Sequence, residues 1–445
     1  MTGMWTRLRN GLLPVALTLL IGLGIVLSLL IWINPARFDR ARTATSSTRS
    51  THSTVSTRSI DDIYLPTQVI VTDSHGHAES IYNPKINLVT TVKNEVKNWR
   101  MTNFRKVSQK DKDAYQKLLN QKNTVQLSYA DNIGRSIFNS SYDQRLLMSP
   151  TAKFSRILFS TTKPGELYLL NDNDLTIYKI SVSKQQLSKV RRVIAEGDKR
   201  YPVEQITSKD HTLTYYTNEV HIPKYSYLIG EQSANFFVTS LLNSGEATSV
   251  SVQRHDGHTI YFDGAYKRMT VNDKTGAVMF ENYNAKNSIS RDLGRNLKTS
   301  FAGLSSTGMP LDSVRYFDNE NNGREVTYRS FVEGFPIFNQ TDFGAVQVKN
   351  KKSGTEEIDF TLTNLQVPLP TDSNSNVTLP ATSTVMAQLE AAGISKNKIK
   401  DIVLGYQWEN NYDSKQVVDL QPTYYVYTSG KWQLYTDLLN GGGTQ

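Results

Sequence analysis

Leu12 to Ile33 is an almost unbroken apolar run of roughly 22 residues, interrupted only by Pro14, Thr18, Gly22, Gly24 and Ser28. As a helix rising ~1.5 Å per residue it reaches about 33 Å, enough to cross a hydrocarbon core of ~30 Å. The run is long for a cleaved signal peptide, and no Ala-x-Ala-like site follows it. Trp32, Asn34, Pro35 and Arg37 read as an interfacial boundary, so the expectation is an uncleaved anchor. Charge alone does not orient it, because Arg7 and Arg9 precede the span while Arg37, Arg40 and Arg42 follow it. A short leading tail and a chain of 445 residues without cysteine tilt the reading toward an exported bulk.

The chain beyond the run is soluble in texture and, at ~100–200 residues per domain, long enough for two or three domains. The 23 Tyr and 16 Phe are ample for β-rich cores. A net charge of +9 raises the question of an anionic surface, either a wall polymer or lipid headgroups. Lys and Arg are spread along the chain and not blocked, so a solvated surface with a modest basic excess is the preferred reading. Nothing resembles a nucleic-acid module.

The expected organisation is a cytoplasmic tail at 1–11, a transmembrane helix at 12–33 and a Ser/Thr-rich linker at 34–59 that lacks the apolar groups to offset ordering entropy. Three α+β domains then follow, at 60–150, 151–245 and 246–440. In the first, Ile86, Val89, Val92, Val96 and Trp99 share a helical face, a second helix covers Lys110–Gln121, and Gln68–Thr72 and Val125–Tyr129 read as strands. From Phe154 the texture turns to a meander, Arg156–Ser160, Glu166–Leu170 and Leu175–Val182. A helix comes next, with Ser183 as its N-cap and Leu187, Val190, Val193 and Ile194 as its stripe. The order recurs later: three strands between Thr259 and Tyr283, a helix through Ile289, Leu293 and Leu297, then strands at Val314–Phe317 and Glu325–Val332. A weaker echo is a helix near Val385–Ala392 before the hairpin Ile402–Glu409 and Val417–Tyr427. Such units predict antiparallel sheets with helices packed on them. Pro368–Pro380 reads as a loop.

A search for chemistry returns little. The chain holds no thiol, no Gly-x-Ser-x-Gly elbow, no Walker A loop and no His-Glu-x-x-His helix. The close pairs His75/His77 and His255/His258 sit in polar turns without an evident third ligand in sequence, and no metal or cofactor is assigned. Asp318-Asn319-Glu320-Asn321-Asn322-Gly323 opens like a calcium loop, but its twelfth position is Arg329 where a bidentate Glu is needed. A hairpin turn is the reading, and the protein is not read as an enzyme.

Val326-Thr327-Tyr328-Arg329-Ser330-Phe331-Val332-Glu333-Gly334-Phe335-Pro336-Ile337-Phe338-Asn339, Ile402-Val403-Leu404-Gly405-Tyr406, Val417–Tyr427 and the terminal Gly430-Lys431-Trp432 resemble the YycH (WalH) family, as does Val26–Trp32 at the anchor. The resemblance implies a cytoplasmic N-terminus, one span and three extracytoplasmic domains, the last two similar to each other and to the partner protein YycI. It also implies association with YycI and with the sensor histidine kinase WalK (YycG) of the WalK/WalR system, largely through transmembrane helices, and regulation of cell-wall metabolism. It carries no catalytic residues.

Two residue sets stand as candidates. Gly22, Gly24 and Ser28 offer the small-residue face on which helices pack closely in lipid. Tyr328, Phe331, Phe335 and Phe338 form an aromatic sheet strand whose first reading is fold-defining, and whose second is a peptide-binding face. The rival functional reading is an extracytoplasmic binding module for a wall fragment or peptide, which requires a sizeable polar cleft. A wall-acting enzyme comes third and requires converging carboxylates or hydroxyls.

Overall fold

The computed structural model describes residues 58–242, 250–264, 266–339, 345–370 and 376–441. The apolar run Leu12–Ile33, with Gly22, Gly24 and Ser28, lies outside the described residues. Among the described residues no helix is long and apolar enough to cross a membrane.

Strands β1 (Gln68–Thr72), β2 (Ala78–Tyr82), β3 (Arg100–Ser108), β4 (Thr124–Gly134), β5 (Lys153–Ser160), β6 (Glu166–Asn171), β7 (Thr176–Ser183), β8 (Lys199–Thr207) and β9 (Thr212–Tyr216) make one nine-stranded sheet. Its order is β3-β7-β6-β5-β4-β1-β2-β8-β9, antiparallel throughout. The central strands β4 and β5 are buried along nearly their whole length because both faces of the sheet are covered. Ile157 and Phe159 join the core that also holds Val92 and Val96 of the helix Leu88–Lys97 and Val190 and Val193 of the helix Leu187–Ala195. Leu158, on the opposite side of β5, joins Tyr115 and Leu119 of the helix Lys112–Leu119. That helix is capped by Asp111, whose carboxylate accepts the Ala114 N–H at 3.0 Å.

The second half holds β10 (Val220–Pro223), β11 (Tyr225–Glu231), β12 (Ser251–His255), β13 (His258–Phe262), β14 (Lys267–Asn272), β15 (Ala277–Asn282), β16 (Val314–Glu320), β17 (Glu325–Val332), β18 (Phe335–Asn339), β19 (Ala345–Asn350), β20 (Glu356–Thr361) and β21 (Thr363–Pro368). It is completed by β22 (Asn376–Leu379), β23 (Ile399–Asn410), β24 (Val417–Thr428) and β25 (Lys431–Leu434). Apart from the small β10–β22 pair, these form one connected array of 14 strands. One part runs β12-β13-β14-β15-β20-β19-β17 with β16 on β17. The other runs β18-β23-β24-β11-β21 with β25 on β24. The two parts join through the tight β17–β18 hairpin, and β18 meets β23 in parallel. The fold is therefore α+β, antiparallel sheets with few helices.

Several elements differ from the sequence reading. Ser183 ends β7, and the next helix is capped at Gln186, because pairing with β3 extends the strand through Ser183. Ile289 lies outside the helix Leu293–Ser306 and is exposed; Asp292 caps that helix instead. Part of Pro368–Pro380 is a strand, Asn376–Leu379, fixed by pairing with β10. The segments 60–150 and 151–245 contribute to a single sheet, with β4 and β5 adjacent.

Candidate interaction site

The β16–β17 hairpin carries the densest chemistry. Its turn holds Asn321, Asn322 and Gly323 at φ of 54°, 60° and 75°, so the calcium-like stretch is a hairpin turn. Arg329 on β17 is 5% exposed, an unusual place for a guanidinium. Its Cζ lies 4.1 Å from the Phe338 ring centroid and 5.0 Å from that of Phe317, and Nη1 donates to the Ile337 carbonyl at 3.4 Å. Phe338 stacks on Tyr425 at 3.8 Å, and Trp432 packs 5.2 Å from Phe317. This cluster is formed by β16, β17, β18, β24 and β25 together. Gly405 permits it: a Cβ there would stand 2.8 Å from the Pro336 carbonyl oxygen, so only glycine lets β23 approach β18 so closely.

Beside it, Asp318 accepts from Trp432 Nε1 at 3.4 Å and faces Asp131 of β4. Burial first, then the Asp318 charge, pushes the Asp131 carboxyl up to about 8. Burial likewise raises Asp318. Asp131 Oδ2 accepts the Asn319 N–H at 3.0 Å, and the Tyr316 hydroxyl donates to the Asn132 carbonyl at 2.7 Å. The pair therefore fastens the nine-stranded sheet to β16. Around this cluster opens a cleft of about 560 Å³, lined by Phe317, Tyr427 and Trp432, by Asp318, Glu320 and Asp359, and by Arg329, Lys431 and His258. Aromatic walls with both signs of charge suit an extended polar chain better than a small apolar ligand.

The four aromatic candidates do not form one exposed face. Tyr328 is fully buried, with its hydroxyl 2.8 Å from that of Tyr64 and donating to Ser300 Oγ at 2.9 Å. Phe338 belongs to the Arg329 cluster, and Phe331 packs against it. Phe335 turns the other way, between Tyr82 and Tyr406. The reversal comes from the two-residue loop Glu333-Gly334, both at positive φ, 51° and 86°. The Glu333 carboxylate accepts from the Tyr225 hydroxyl. Elsewhere, Asp73, His75 and His77 gather three metal-capable side chains at the β1–β2 turn.

Residues 12–197 match the family model described as YycH protein, N-terminal domain, and residues 211–440 the one described as YycH protein, C-terminal domain. The chain belongs to the YycH family. Its fold is also that of YycH from Bacillus subtilis, whose crystal structure superposes with a TM-score of 0.69 at 18% identity, covering 85% of this chain and 98% of that one. No match was found among curated protein sequences.

Within this YycH-family chain, sequence reasoning reached Phe338 and Trp432 through the family motif and missed the partners that give them meaning. Arg329 stood in the same motif and as the residue that spoils a calcium loop, with no role of its own assigned. Asp131 gave no signal, since Asn319, which it binds, lies 188 positions away. The one available clue was an Arg flanked by alternating aromatics in a strand that otherwise reads as core.

Proposed function

We propose that this protein is an accessory regulator of a sensor histidine kinase, WalK (YycG), in the control of cell-wall metabolism. It acts as a single-pass membrane protein with a cytoplasmic N-terminus, an extracytoplasmic bulk, and YycI as its companion. The observation that carries the reading is membership in the YycH family across both halves, with the N-terminal match beginning at the apolar run. Contact with the kinase runs through the span, where Gly22, Gly24 and Ser28 supply close packing, and through the outer region. To shift the kinase, the outer region must bind its two states with different affinity, because equal affinity shifts nothing. No catalytic residue and no cofactor is assigned. The cleft beside Trp432 favours a second reading, in which the outer region also binds a wall fragment or peptide.

Co-purification of the kinase from native membranes tests the first reading. Full-length protein is compared with a chain whose Leu12–Ile33 is replaced by an unrelated span. Loss of the kinase only from the swapped chain is the expected result. Equal recovery moves the contact to the outer region, and no recovery from either removes the regulatory reading.

A further inference from the structure

We propose that Asp73, His75 and His77 form a binding site for a divalent transition-metal cation, with Zn²⁺ as its natural probe. β1 and β2 pair up to Thr72 and Ala78, leaving Asp73–His77 as the connecting loop. The Asp73 N–H donates to the His77 carbonyl at 3.0 Å, and Gly76 takes a φ of 100° that side-chain-bearing residues rarely adopt. The two histidines are thereby brought to one side, with their rings 6.0 Å apart and 23° from parallel.

The Asp73 carboxylate is divided between two tasks. Its Oδ1 accepts three backbone N–H groups, from His75 at 2.8 Å, Gly76 at 2.7 Å and His77 at 2.9 Å. That leaves Oδ2 aimed at the imidazoles, 3.3 Å from His77 Nδ1 and 3.5 Å from His75 Nδ1. For a zinc ion bonded at ~2.0–2.1 Å to tetrahedral ligands, neighbouring ligand atoms stand about 3.3–3.4 Å apart. The carboxylate–imidazole separations already match two edges of that tetrahedron. The three side chains can bring their ligand atoms within 4.8 Å of one another, the only such group among the described residues. A carboxylate whose second oxygen is held by backbone donors is the usual outer-shell arrangement that orients a metal ligand.

The donor set, two imidazole nitrogens and one carboxylate oxygen, suits zinc and its first-row neighbours and not magnesium. His75 and His77 are 76% and 81% exposed at their side chains, so an ion has a direct path and its remaining position is open to water or to a ligand from another molecule. The aliphatic stem of Lys122 flanks the turn at Gly76. The His255/His258 turn is the internal contrast: His255 pairs with Asp256 at 3.0 Å, yet no group of three ligands forms there.

Isothermal titration of ZnCl₂ into the full-length protein in detergent, without a polyhistidine tag, tests the site. One equivalent is expected to bind, and MgCl₂ is not. His75→Ala and His77→Ala should each weaken binding by roughly 10–100-fold or more, while the double change of His255 and His258 to Ala leaves it unaltered. Asp73→Asn keeps the Oδ1 acceptor that closes the turn and replaces Oδ2 with an amide, so it too should lose affinity. Melting temperatures without metal check that each variant is folded. Absence of a one-equivalent event in the parent, or an unaltered event in the two histidine variants, overturns the assignment.

Discussion

Arg329 is a charged residue taken out of water and Asp131 a half-buried one, and each is tolerated for a different reason. Arg329 keeps its charge because two ring faces and a carbonyl replace part of its hydration. Asp131 gives its charge up. An unfolded Asp titrates near ~4, whereas burial and then Asp318 push the folded group up to about 8. Between those values the folded state holds a proton that the unfolded state has released. The stabilisation is therefore fully present below about pH 4 and is lost as pH rises through about 8. Asp131→Asn fixes the neutral form. Thermal melts at steps between about pH 5 and about pH 8.5 should show the parent losing stability relative to this variant as pH rises. Parallel curves would rule out a proton held on Asp131 in the folded state. Neither behaviour was legible in the sequence, because burial of a polar residue is a property of its partners. The hairpin turn at Asn321–Gly323 was legible, since its cause is local.

Elements whose reason is local were read well, and those held by distant partners were not. β6 and β17 have apolar residues at strand spacing, and their extents agree with the sequence reading to within a residue. β3 is exposed along most of its length and exists through its ladder with β7, and all five residues of β12 are exposed. Neither offers the alternation that marks a half-buried strand. The contact between the helices Arg135–Ser141 and Leu293–Ser306 was equally silent. It rests on two glycines: a Cβ on Gly134 would stand 2.2 Å from the Gly294 nitrogen. Asp292 completes it, receiving Arg135 Nε at 2.8 Å and Ser136 Oγ at 3.1 Å. Gly134 has a φ of −103°, so alanine meets no backbone penalty there and the substitution tests packing alone. Gly134→Ala is expected to cost about 1–3 kcal/mol in urea unfolding, the usual range for overpacking. A midpoint within error of the parent would show that the helices part freely.

At the scale of the whole molecule the question is whether the outer region behaves as three bodies or one. A domain folds alone when its core is its own. Here the largest core takes Tyr64 and Phe138 from the first half together with Leu297, Tyr328 and Phe360 from the second. The next joins Ile70 and Val203 to Val332, Leu404 and Val426. The described residues of Thr54–Asn83 and Leu88–Gln445 accordingly make one compact unit. The boundaries at 150/151 and 245/246 track changes in texture along the chain, whereas cores form between segments that sequence order keeps apart. Separating such halves exposes apolar surface at ~25 cal/mol per Å², so an intermediate with one half unfolded is disfavoured. Scanning calorimetry should therefore find one transition, with calorimetric and van't Hoff enthalpies in agreement. Two resolved transitions would restore the picture of independent domains. The outcome bears on regulation, because a region that unfolds as one body has its two ends thermodynamically coupled, while independent domains would need a separate contact for each.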